Sequence, residues 1–440
     1  MRAEISTTRA KIRSGIRGPH AQDLVRRTVA SSLDGKTLWI VSGGAEAVPG
    51  IQKAKELGLH VVVSDMSSEA PGLVHADDRV LVSTYDAIET TAAAIDYDRR
   101  VRRVDGVIAM AADVPVTVAS VADALDLPGI SLETARLAAD KLLMKQQLAA
   151  AGIPVPWFRP VLSVTEVRTA TEERGFPLVI KPVDSRGARG VLRLTGSVDL
   201  DWAFGYARSQ SPSGRVMVED FLQGPQISTE SLLQRSLAVT PGFIDRNYEL
   251  LLRFAPYIIE NGGQQPSCLT GEQRRAVASL AERAARALGI TDGTAKGDLV
   301  LTQEGPRVIE MAARLSGGWM SSDQIPLATG VDFIGQAIRL ALGSDIDLTA
   351  IAQDAVRGVA CRYFFPNPGR VRSITPLEEI SRQEGVHRIG FFVRPGEVLN
   401  EVTDHTRRAG FVIATGNTRD EAVTRAEAVV AAVQIETEPD

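Results

Sequence analysis

The stretch IKPVDSRGARG, residues 180–190, combines residue types that bind phosphate groups. Lys181 follows the apolar run FPLVI, so we expect it at the end of a buried strand, with its ammonium group at the rim of a cleft. The loop SRGARG at 185–190 contains glycines that allow backbone amides to approach an anion, and VLRLT at 191–195 is expected to return as a strand. The lysine precedes the glycines, whereas it follows them in a Walker loop. The pattern predicts a hairpin lid over phosphates, although a mobile surface hairpin with a solvated lysine explains it equally well.

A second group of residues indicates a cation site. The segment GDLVLTQEGPRVIEMAAR, residues 297–314, has the pattern of a β-hairpin with a three-residue loop. Such a loop would place Thr302 opposite Pro306. Counting back along the strands, Asp298 then lies opposite Glu310, and two like charges facing each other destabilise a sheet unless a cation lies between them. Carboxylate oxygens suit magnesium. If the register differed by one residue, one of the acids would instead face solvent.

Two further segments contain groups that could bind an anion and a planar ring. Arg314 and the run LSGG at 315–318 supply a cation and backbone amides for a negatively charged acyl or phosphoryl group. In VMVEDFLQGPQ, residues 216–226, a buried strand is expected to end at Glu219 and to continue as an extended linker. That linker is suited to present backbone donors and acceptors to an adenine edge. A plain connection between strands is the alternative.

The first glycine-rich turn, SGGAEAVPG at 42–50, follows a strand and precedes a helix. Asp65 ends the next strand, at the position of a ribose-binding acid in dinucleotide-binding proteins. The spacing G-x-G-x-x-G is absent, however, so a tight strand-to-helix turn explains the glycines better than NAD binding does. A small anionic substrate at the helix start is the third interpretation.

Composition narrows the class of protein. The 440 residues suggest roughly three domains at about 150 residues each. A net charge of −5 gives no reason to expect binding to nucleic acid or to an anionic membrane. No apolar run approaches the ~18 residues of a membrane helix, and the polar, Arg-rich start is not typical of a secretory signal. The two cysteines, Cys268 and Cys361, suit a reducing compartment, so we expect a cytoplasmic protein.

Lysine is rare in this chain, with eight lysines against forty-one arginines. A lysine is therefore an informative choice, and Lys141, Lys145 and Lys181 lie within one short part of the sequence. The lysine ammonium group is a compact charge that suits a single phosphate oxygen.

Apolar runs alternate with helical stretches in the first third of the chain. The expected strands are TLWIVS (37–42), HVVVSD (60–65), DRVLVS (78–83) and DGVIAM (105–110). This alternation predicts a doubly wound, mostly parallel sheet. Residues 131–152 are expected to form two helices that meet near Ala139 and Asp140.

Strands and helices mix in an α+β manner up to about residue 350, and a third unit follows. Its expected strands are RGVACRYFF (357–365), GVHRIGFFV (385–393) and GFVIATG (410–416). The last helix is expected to start at Thr418, where TRDE has the spacing of a capping box.

Four of these segments, in this order, resemble motifs of the ATP-grasp superfamily. They are ADKLLMKQQLAAAGIPVP (139–156), FPLVIKPVDSRGARGV (176–191), VMVEDFLQGPQIS (216–228) and GDLVLTQEGPRVIEMAARLSGG (297–318). The segment VPGIQKAKELGLHVVVSD resembles the small Rossmann-like domain of carboxylate–amine ligases, and HTRRAGFVIATGNTRDEA resembles their C-terminal lid. The resemblance covers about residues 36–436.

The resemblance implies an α/β and α+β fold in four parts. These are an N-terminal extension (1–35), a Rossmann-like domain (36–135), a two-subdomain ATP-grasp domain (136–350) and a C-terminal α+β lid (351–440). ATP would lie between the two subdomains, with Mg²⁺ or, in its place, Mn²⁺. A substrate carboxylate would attack the γ-phosphate to give an acyl phosphate and ADP, and an amine would then displace phosphate. The partners implied are small-molecule carboxylates and amines, most simply amino acids. The resemblance is also compatible with a homodimer.

The resemblance also implies roles for individual residues, position by position. It implies phosphate contacts from Lys141 and Lys181, and a lid that includes Ser185, Arg186, Gly187 and Gly190. It implies adenine contacts from Glu219 and the backbone of Leu222, magnesium binding by Asp298 and Glu310, and stabilisation of the acyl phosphate by Arg314. Arg314 and Lys181 would thus act in catalysis.

Two positions depart from the family pattern. Gln226 stands where the family has a ribose-binding glutamate, which implies weaker or altered ribose recognition. Ala312 stands where an asparagine supplies a further oxygen ligand to the metal, so one metal ion would bind more loosely or rely on water. These departures keep open a non-catalytic, ATP-binding regulatory protein. A biotin-carboxylase-like enzyme, with bicarbonate as the carboxylate, is the other alternative.

Substrate selection is expected in the cleft between the 42–46 turn, the 245–265 segment and the 314–322 loop. Arg246 and Arg253 in the second of these segments are suited to hold a carboxylate. In a chain so rich in arginine, however, we expect both to be surface residues.

Overall fold

The computed structural model describes residues 33–439. The expected N-terminal extension, residues 1–35, therefore lies outside the described residues except for its last three. No helix among residues 33–439 has both the length and the apolar character needed to cross a membrane.

The first sheet consists of four parallel strands, as the alternation of apolar runs and helices predicts. The strands are β1 (Thr37–Val41), β2 (His60–Asp65), β3 (Asp78–Leu81) and β4 (Gly106–Ala109). Their order is β3–β2–β1–β4. The connecting helices are α1 (Val48–Glu56), α2 (Ala87–Arg100) and α3 (Pro115–Ala124). All of β1 is buried, which is why its sequence is a continuous apolar run and not an alternating one.

Two helices lead from this sheet to the next, as expected. They are α4 (Leu132–Ala139) and α5 (Lys141–Ala150), and they meet at Asp140. The Asp140 carboxylate accepts hydrogen bonds from the backbone amides of Leu142 and Leu143, so it caps α5. The cap makes Lys141 the first residue of the helix.

The second sheet is antiparallel and carries the lysine stretch. Its strands are β5 (Phe158–Val161), β6 (Leu178–Pro182), β7 (Leu192–Leu194) and β8 (Val216–Asp220), in the order β5–β8–β6–β7. Helices α6 (Val164–Arg174) and α7 (Leu200–Ser209) pack on it. The pairing of β6 with β7 confirms the predicted hairpin. β6 continues through Pro182, which pairs with Val216, so Lys181 lies within the strand and not at its end.

The third sheet has eight strands and extends across the remainder of the chain. The strands are β9 (Gln226–Gln234), β10 (Leu237–Arg246), β11 (Gly263–Gln265), β12 (Gly293–Thr302), β13 (Gly305–Ala312), β14 (Gly358–Phe364), β16 (Val386–Phe391) and β18 (Gly410–Gly416). Their order is β13–β12–β9–β10–β11–β14–β18–β16. Because β11 pairs with β14, strands before and after residue 350 belong to one continuous sheet.

In the β12–β13 hairpin, the turn differs from the predicted turn, whereas the pairing of the two acidic residues is as predicted. Thr302 pairs with Gly305, so the predicted pairing of Thr302 with Pro306 is wrong. The reason is that Gly305 begins β13 instead of lying in the turn. A bulge next to Asp298 then restores the expected register, and Asp298 pairs with Glu310.

A small three-stranded sheet and the last helix complete the C-terminal part. The strands are β15 (Gly369–Ile374), β17 (Val398–Leu399) and β19 (Ile435–Glu438). The remaining helices are α8 (Gly271–Ala287), α9 (Ile325–Thr329), α10 (Phe333–Ala341), α11 (Leu348–Ile351), α12 (Leu377–Ile380) and α13 (Arg419–Ala432). The Thr418 hydroxyl oxygen caps α13 by accepting a hydrogen bond from the backbone amide of Glu421, as the sequence predicts.

One apolar core joins the first sheet to the eight-stranded sheet. Ile51 of α1, Leu232 of β9 and Phe333 of α10 are fully buried in it. Each such side chain contributes roughly 1.5–3 kcal/mol by leaving water. The shared core holds the N-terminal unit (residues 36–135) against the sheet that carries Asp298 and Glu310, and this fixes the walls of the cleft between them.

Candidate active site

A cleft of about 640 Å³ lies between the first, second and third sheets. The residues predicted from the sequence to act in catalysis or binding that line it are Lys141, Lys181, Ser185, Arg186, Gly187, Glu219, Leu222, Gln226, Asp298, Glu310 and Arg314. Gly190 lies at the base of the 185–190 loop, where a Cβ atom would meet Pro182 and Gln210. Sequence positions far apart therefore converge on one cavity.

Lys181 is buried at the side of this cleft with a carboxylate partner. Its Nζ atom lies 2.6 Å from Oε1 of Glu219, and Lys145 Nζ lies 2.8 Å from Oε2 of the same residue. Lys181 is only 3% exposed, so the interpretation as a solvated surface lysine is wrong. The reason is that Lys181 pairs with Met217 inside the sheet and its ammonium group binds the buried Glu219.

The two lysines and Glu219 form a buried charged group, and Lys181 and Glu219 face the cleft. Burial lowers the pKa of Lys145 to about 8, although the neighbouring Glu219 opposes this shift. Burial also opposes ionisation of Glu219, but both lysines outweigh it and lower the pKa of the carboxyl group. The carboxylate of Glu219 is thus engaged by two ammonium groups. The group carries one net positive charge beside the cleft, which favours an anion there.

The 185–190 loop, called the lid loop below, folds over the cleft as a tight turn. Gly187, Ala188 and Gly190 all have positive φ angles, between 61° and 74°. Glycine adopts this conformation without steric cost, which explains the two glycines. Lys141 Nζ donates to the carbonyl oxygen of Ser185 at 2.9 Å, so α5 holds the start of the lid loop.

Asp298 and Glu310 both point into the cleft and are surrounded by cations. Asp298 accepts a hydrogen bond from Ser228 at 2.6 Å and pairs with Lys296. Glu310 lies 3.2 Å from Lys141. Burial would raise the pKa of both carboxyl groups, but the neighbouring cations outweigh it and lower both values. Both acids are therefore ionised at neutral pH.

This donor set fits a magnesium ion. Magnesium is usually held by one or two carboxylates and completes its shell with water and phosphate oxygens. Asp298 and Glu310 supply two ionised carboxylates on one face of the hairpin, as expected. The side chain of Ala312 supplies no oxygen, and Lys296 pairs with it across the hairpin.

Arg314 lies two residues after the end of β13, with its side chain largely buried. The next loop is held by Glu230, whose Oε1 accepts a hydrogen bond from the Ser316 amide at 2.7 Å and another from the Ser321 hydroxyl. Burial raises the pKa of Glu230 to about 7, although these hydrogen bonds oppose the shift. Glu230 was not among the predicted site residues, because a glutamate inside a strand carries no local signal.

The linker after β8 runs along the cleft and brings Leu222 and Gln226 to its wall. Gly224 in this linker packs against the backbone of Leu301, where a Cβ atom would collide with the carbonyl oxygen. Glycine at position 224 is therefore required by the close approach of the linker to β12.

The first glycine-rich turn behaves as a tight turn. The Gly43 amide donates to Asp65 at 2.9 Å, so that acid is engaged by the turn itself. Glu46 projects from the turn into the cleft and accepts a hydrogen bond from the Gly318 amide at 2.8 Å. A carboxylate at this place disfavours a bound anion.

Arg246 was expected on the surface, and this is wrong. Its side chain lies in the cleft, 14% exposed, with one guanidinium nitrogen 2.9 Å from Asp298 and another 2.9 Å from Glu260. Its position at the end of β10, directly beside the acid pair, explains the difference. Arg253 is exposed, as expected, and donates to the carbonyl oxygen of Phe365.

Asp113 is a second cleft residue that the sequence analysis missed. It follows β4 and lies between Arg186 and Arg314. Its position outside the carboxyl end of a parallel strand was the available signal, because ligands of open α/β sheets bind there.

Comparisons with known proteins agree with this arrangement. Three family models match the chain: an ATP-grasp N-terminal domain at 51–129, an ATP-grasp domain at 138–318 and an L-amino acid ligase C-terminal domain 2 at 362–438. The D-alanine–D-alanine ligase of Aromatoleum aromaticum is 30% identical over 242 residues, which are 53% of this chain and 74% of that protein.

Two amino-acid ligases are similar over most of the chain. The L-arginine-specific L-amino acid ligase of Bacillus subtilis is 22% identical over 83% of this chain and 89% of its own length. The crystal structure of the L-amino acid ligase from Bacillus licheniformis has the same fold, with a TM-score of 0.79 and 23% identity over 92% of this chain and 99% of that one. The matching family segments and the D-alanine–D-alanine ligase relative establish that this chain belongs to the ATP-grasp superfamily, as one of its ligases that form carbon–nitrogen bonds.

Proposed function

We propose that this protein uses ATP to join the carboxylate of one small molecule to the amine of another, through an acyl phosphate, and releases ADP and phosphate. The observation that carries the proposal is the set of charges in the cleft. Lysines 141 and 181, the Asp298–Glu310 pair and Arg314 all line one cleft, with Lys141 3.2 Å from Glu310 and with Arg314 four residues after Glu310 along the chain. This set suits a triphosphate whose terminal group faces a second anion.

The residues of the chain have separate roles in this proposal. Lys141 and Lys181 bind phosphate oxygens, and the lid loop covers them with the backbone amides of residues 185–190. Asp298 and Glu310 hold Mg²⁺, or Mn²⁺ in its place, and the metal ion neutralises phosphate charge when bound. Arg314 binds the acyl phosphate, since a fixed guanidinium group in a water-poor cleft stabilises developing negative charge.

The nucleotide base and ribose would lie along the linker. We assign adenine contacts to Glu219 and the Leu222 backbone, and a ribose hydroxyl contact to Gln226. Because both oxygens of Glu219 already meet lysines, its role would be to fix the lysines beside the adenine more than to bind the ring. An amide at Gln226 retains a hydrogen-bond acceptor but lacks the charge of a carboxylate.

The similarity of residues 362–438 to the L-amino acid ligase C-terminal domain 2 supports an amino acid as at least one substrate. Glu46, Arg246 and Glu260 offer both signs of charge at the cleft wall, which suits a zwitterion. We also propose a cytoplasmic location, which suits the free thiols of Cys268 and Cys361, and a homodimer, which light scattering would test.

Product analysis tests the proposed reaction. The protein would be incubated with ATP, Mg²⁺ and pairs of amino acids, and the nucleotide and amide products would be identified by mass spectrometry. Release of ADP and phosphate that depends on the amine supports the proposal. Release of AMP and pyrophosphate would contradict it. Turnover with bicarbonate alone would indicate the biotin-carboxylase-like alternative, and tight ATP binding without turnover would indicate a regulatory protein.

A further inference from the structure

Asp113 lies between two arginines that come from different parts of the chain. Its Oδ1 atom is 3.3 Å from Nε of Arg314, and its Oδ2 atom is 3.5 Å from Nε of Arg186. One carboxylate of the N-terminal unit therefore meets both the lid loop and the segment that follows β13. The side chain is 19% exposed.

The charge state of Asp113 suits this position. Burial opposes ionisation, but Arg314, Lys141 and Arg186 outweigh it and lower the pKa of the carboxyl group. The carboxylate is thus ionised at neutral pH. A buried arginine without an anion is costly, so the largely buried Arg314 needs such a partner whenever the cleft holds no other anion, and the more exposed Arg186 shares that partner.

The lid loop is held from two further directions. The guanidinium group of Arg186 lies 4.7 Å from the ring centre of Tyr85, also in the N-terminal unit. On the opposite side, the His405 amide donates to the carbonyl oxygen of Gly187 at 2.9 Å. The lid loop therefore bridges the N-terminal unit and the C-terminal part of the chain across the cleft.

The N-terminal unit also holds the loop that follows Arg314. Glu46 accepts the hydrogen bond from the Gly318 amide, and a Cβ atom at Gly317 would lie 2.8 Å from the same carboxylate oxygen. Asp113 and Glu46 thus contact the two ends of the Arg314–Gly318 segment. This second contact shows that the N-terminal unit packs directly against the Arg314–Gly318 segment.

We propose that Asp113 is a positioning residue that couples closure of the lid loop to the placement of Arg314. The roles of the lid loop and Arg314 in this statement rest on the proposed function, but the coupling itself is a property of the protein without ligand. Asp113 holds both guanidinium groups at the cleft, so that each is already oriented when phosphate oxygens replace the carboxylate as its partner.

Limited proteolysis of the full chain without ligand tests the coupling. Trypsin cleaves after arginine, and both Arg186 and Arg189 lie in the lid loop. The variant Asp113→Asn keeps the size of the side chain and removes its charge. We expect cleavage after these arginines to become roughly tenfold faster, as for loss of a partly buried ion pair. Asp113→Glu should restore protection.

The matched control is Asp96→Asn, which breaks an exposed ion pair with Arg100 on α2 of the same unit. Its cleavage rate should equal that of the wild type. Equal protection of the lid loop in folded Asp113→Asn and wild type would overturn the proposal. If Asp113→Asn does not fold, Arg186→Gln replaces it: faster cleavage after Arg189 supports the coupling, and an unchanged rate refutes it. This readout requires no turnover, so it can fail independently of the proposed reaction.

Kinetics then separate positioning from a purely structural role. Arg186→Gln should raise the KM for ATP and, through Asp113, also lower kcat to a smaller extent, whereas Asp113→Asn should raise KM and lower kcat further, because both guanidinium groups then lose their partner. The double variant should have the same KM as Asp113→Asn, since the two residues act through one contact. Fully additive effects on KM would contradict the coupling.

Discussion

Asp298 and Glu310 pair across the β12–β13 hairpin, and both carboxylates face the cleft. Two like charges in direct opposition destabilise a hairpin unless cations compensate them. Lys141, Lys296 and Arg246 supply that compensation in the structure. Apolar residues at these two positions would stabilise the sheet without needing cations beside them. The acid pair is therefore better explained by a function in the cleft than by the stability of the hairpin.

Replacement of Glu310 tests the metal assignment. In Glu310→Gln we expect turnover to fall roughly 10²- to 10³-fold, because one charged ligand for Mg²⁺ is lost. The Mg²⁺ concentration for half-maximal rate should rise as well. Both are measured by amine-dependent release of ADP over a Mg²⁺ titration, and direct Mn²⁺ binding provides a readout independent of turnover.

Glu304→Gln is the matched control for this variant. Glu304 lies in the turn of the same hairpin, exposed, where it pairs with Arg307. Its replacement should change the rate by less than about twofold, as for most surface ion pairs. An unchanged rate and metal response in Glu310→Gln would remove the assignment of Glu310 as a ligand.

Arg246 and Arg253 form a natural pair for comparison, because only the first lies in the cleft. Arg246→Met should lower kcat/KM roughly 100-fold, since Asp298 and Glu260 both lose a buried partner. Arg253→Met should change kcat/KM by less than about twofold. Initial rates, with thermal unfolding to verify the fold, give the comparison. Similar losses of kcat/KM in both variants would mean that the position of Arg246 in the cleft does not explain its effect on activity.

Glu230 gives the stability of the protein a specific pH dependence. Its pKa is raised from 4.5 to about 7 by burial, so between these values the folded protein binds a proton that the unfolded chain has released. The free energy of unfolding contributed by this group therefore falls as pH rises through that window and is level above it. In Glu230→Gln this contribution is absent.

Urea denaturation of the wild type and Glu230→Gln at several pH values measures the effect. The free energy of unfolding of the wild type, minus that of the variant, should decrease by roughly 1–3 kcal/mol between about pH 4.5 and 7. A difference that does not change with pH would show that Glu230 keeps its ordinary pKa.

Local patterns were sufficient for much of the fold and for part of the candidate site. The parallel strands follow from buried apolar runs, the junction of two helices near Asp140 was expected, and the helix start after Thr418 follows from its cap. The hairpin that carries Lys181 was predicted from two strand-like runs on either side of the glycine-containing loop. The facing of Asp298 and Glu310 was predicted correctly even though the turn was wrong, because the bulge compensated for the shorter turn.

Contacts between distant parts of the chain were decided only by the tertiary structure. The pairing of Glu219 with Lys145 and Lys181 depends on how α5 packs under the second sheet. The contacts of Asp113 with Arg186 and Arg314 depend on how the N-terminal unit docks on the other two sheets.

The physical reason is the difference between local and non-local interactions. Strand alternation, turn residues and helix caps act over a few neighbouring residues, so the sequence by itself determines which elements form and which face of each is buried. A charged side chain contacts a partner from another sheet only after the sheets have packed on a shared core. The local sequence pattern contains no information about the distance between such residues. The sequence thus determined the hairpins that carry the lysine and the acid pair, and the packing of three sheets decided which charges meet them in the cleft.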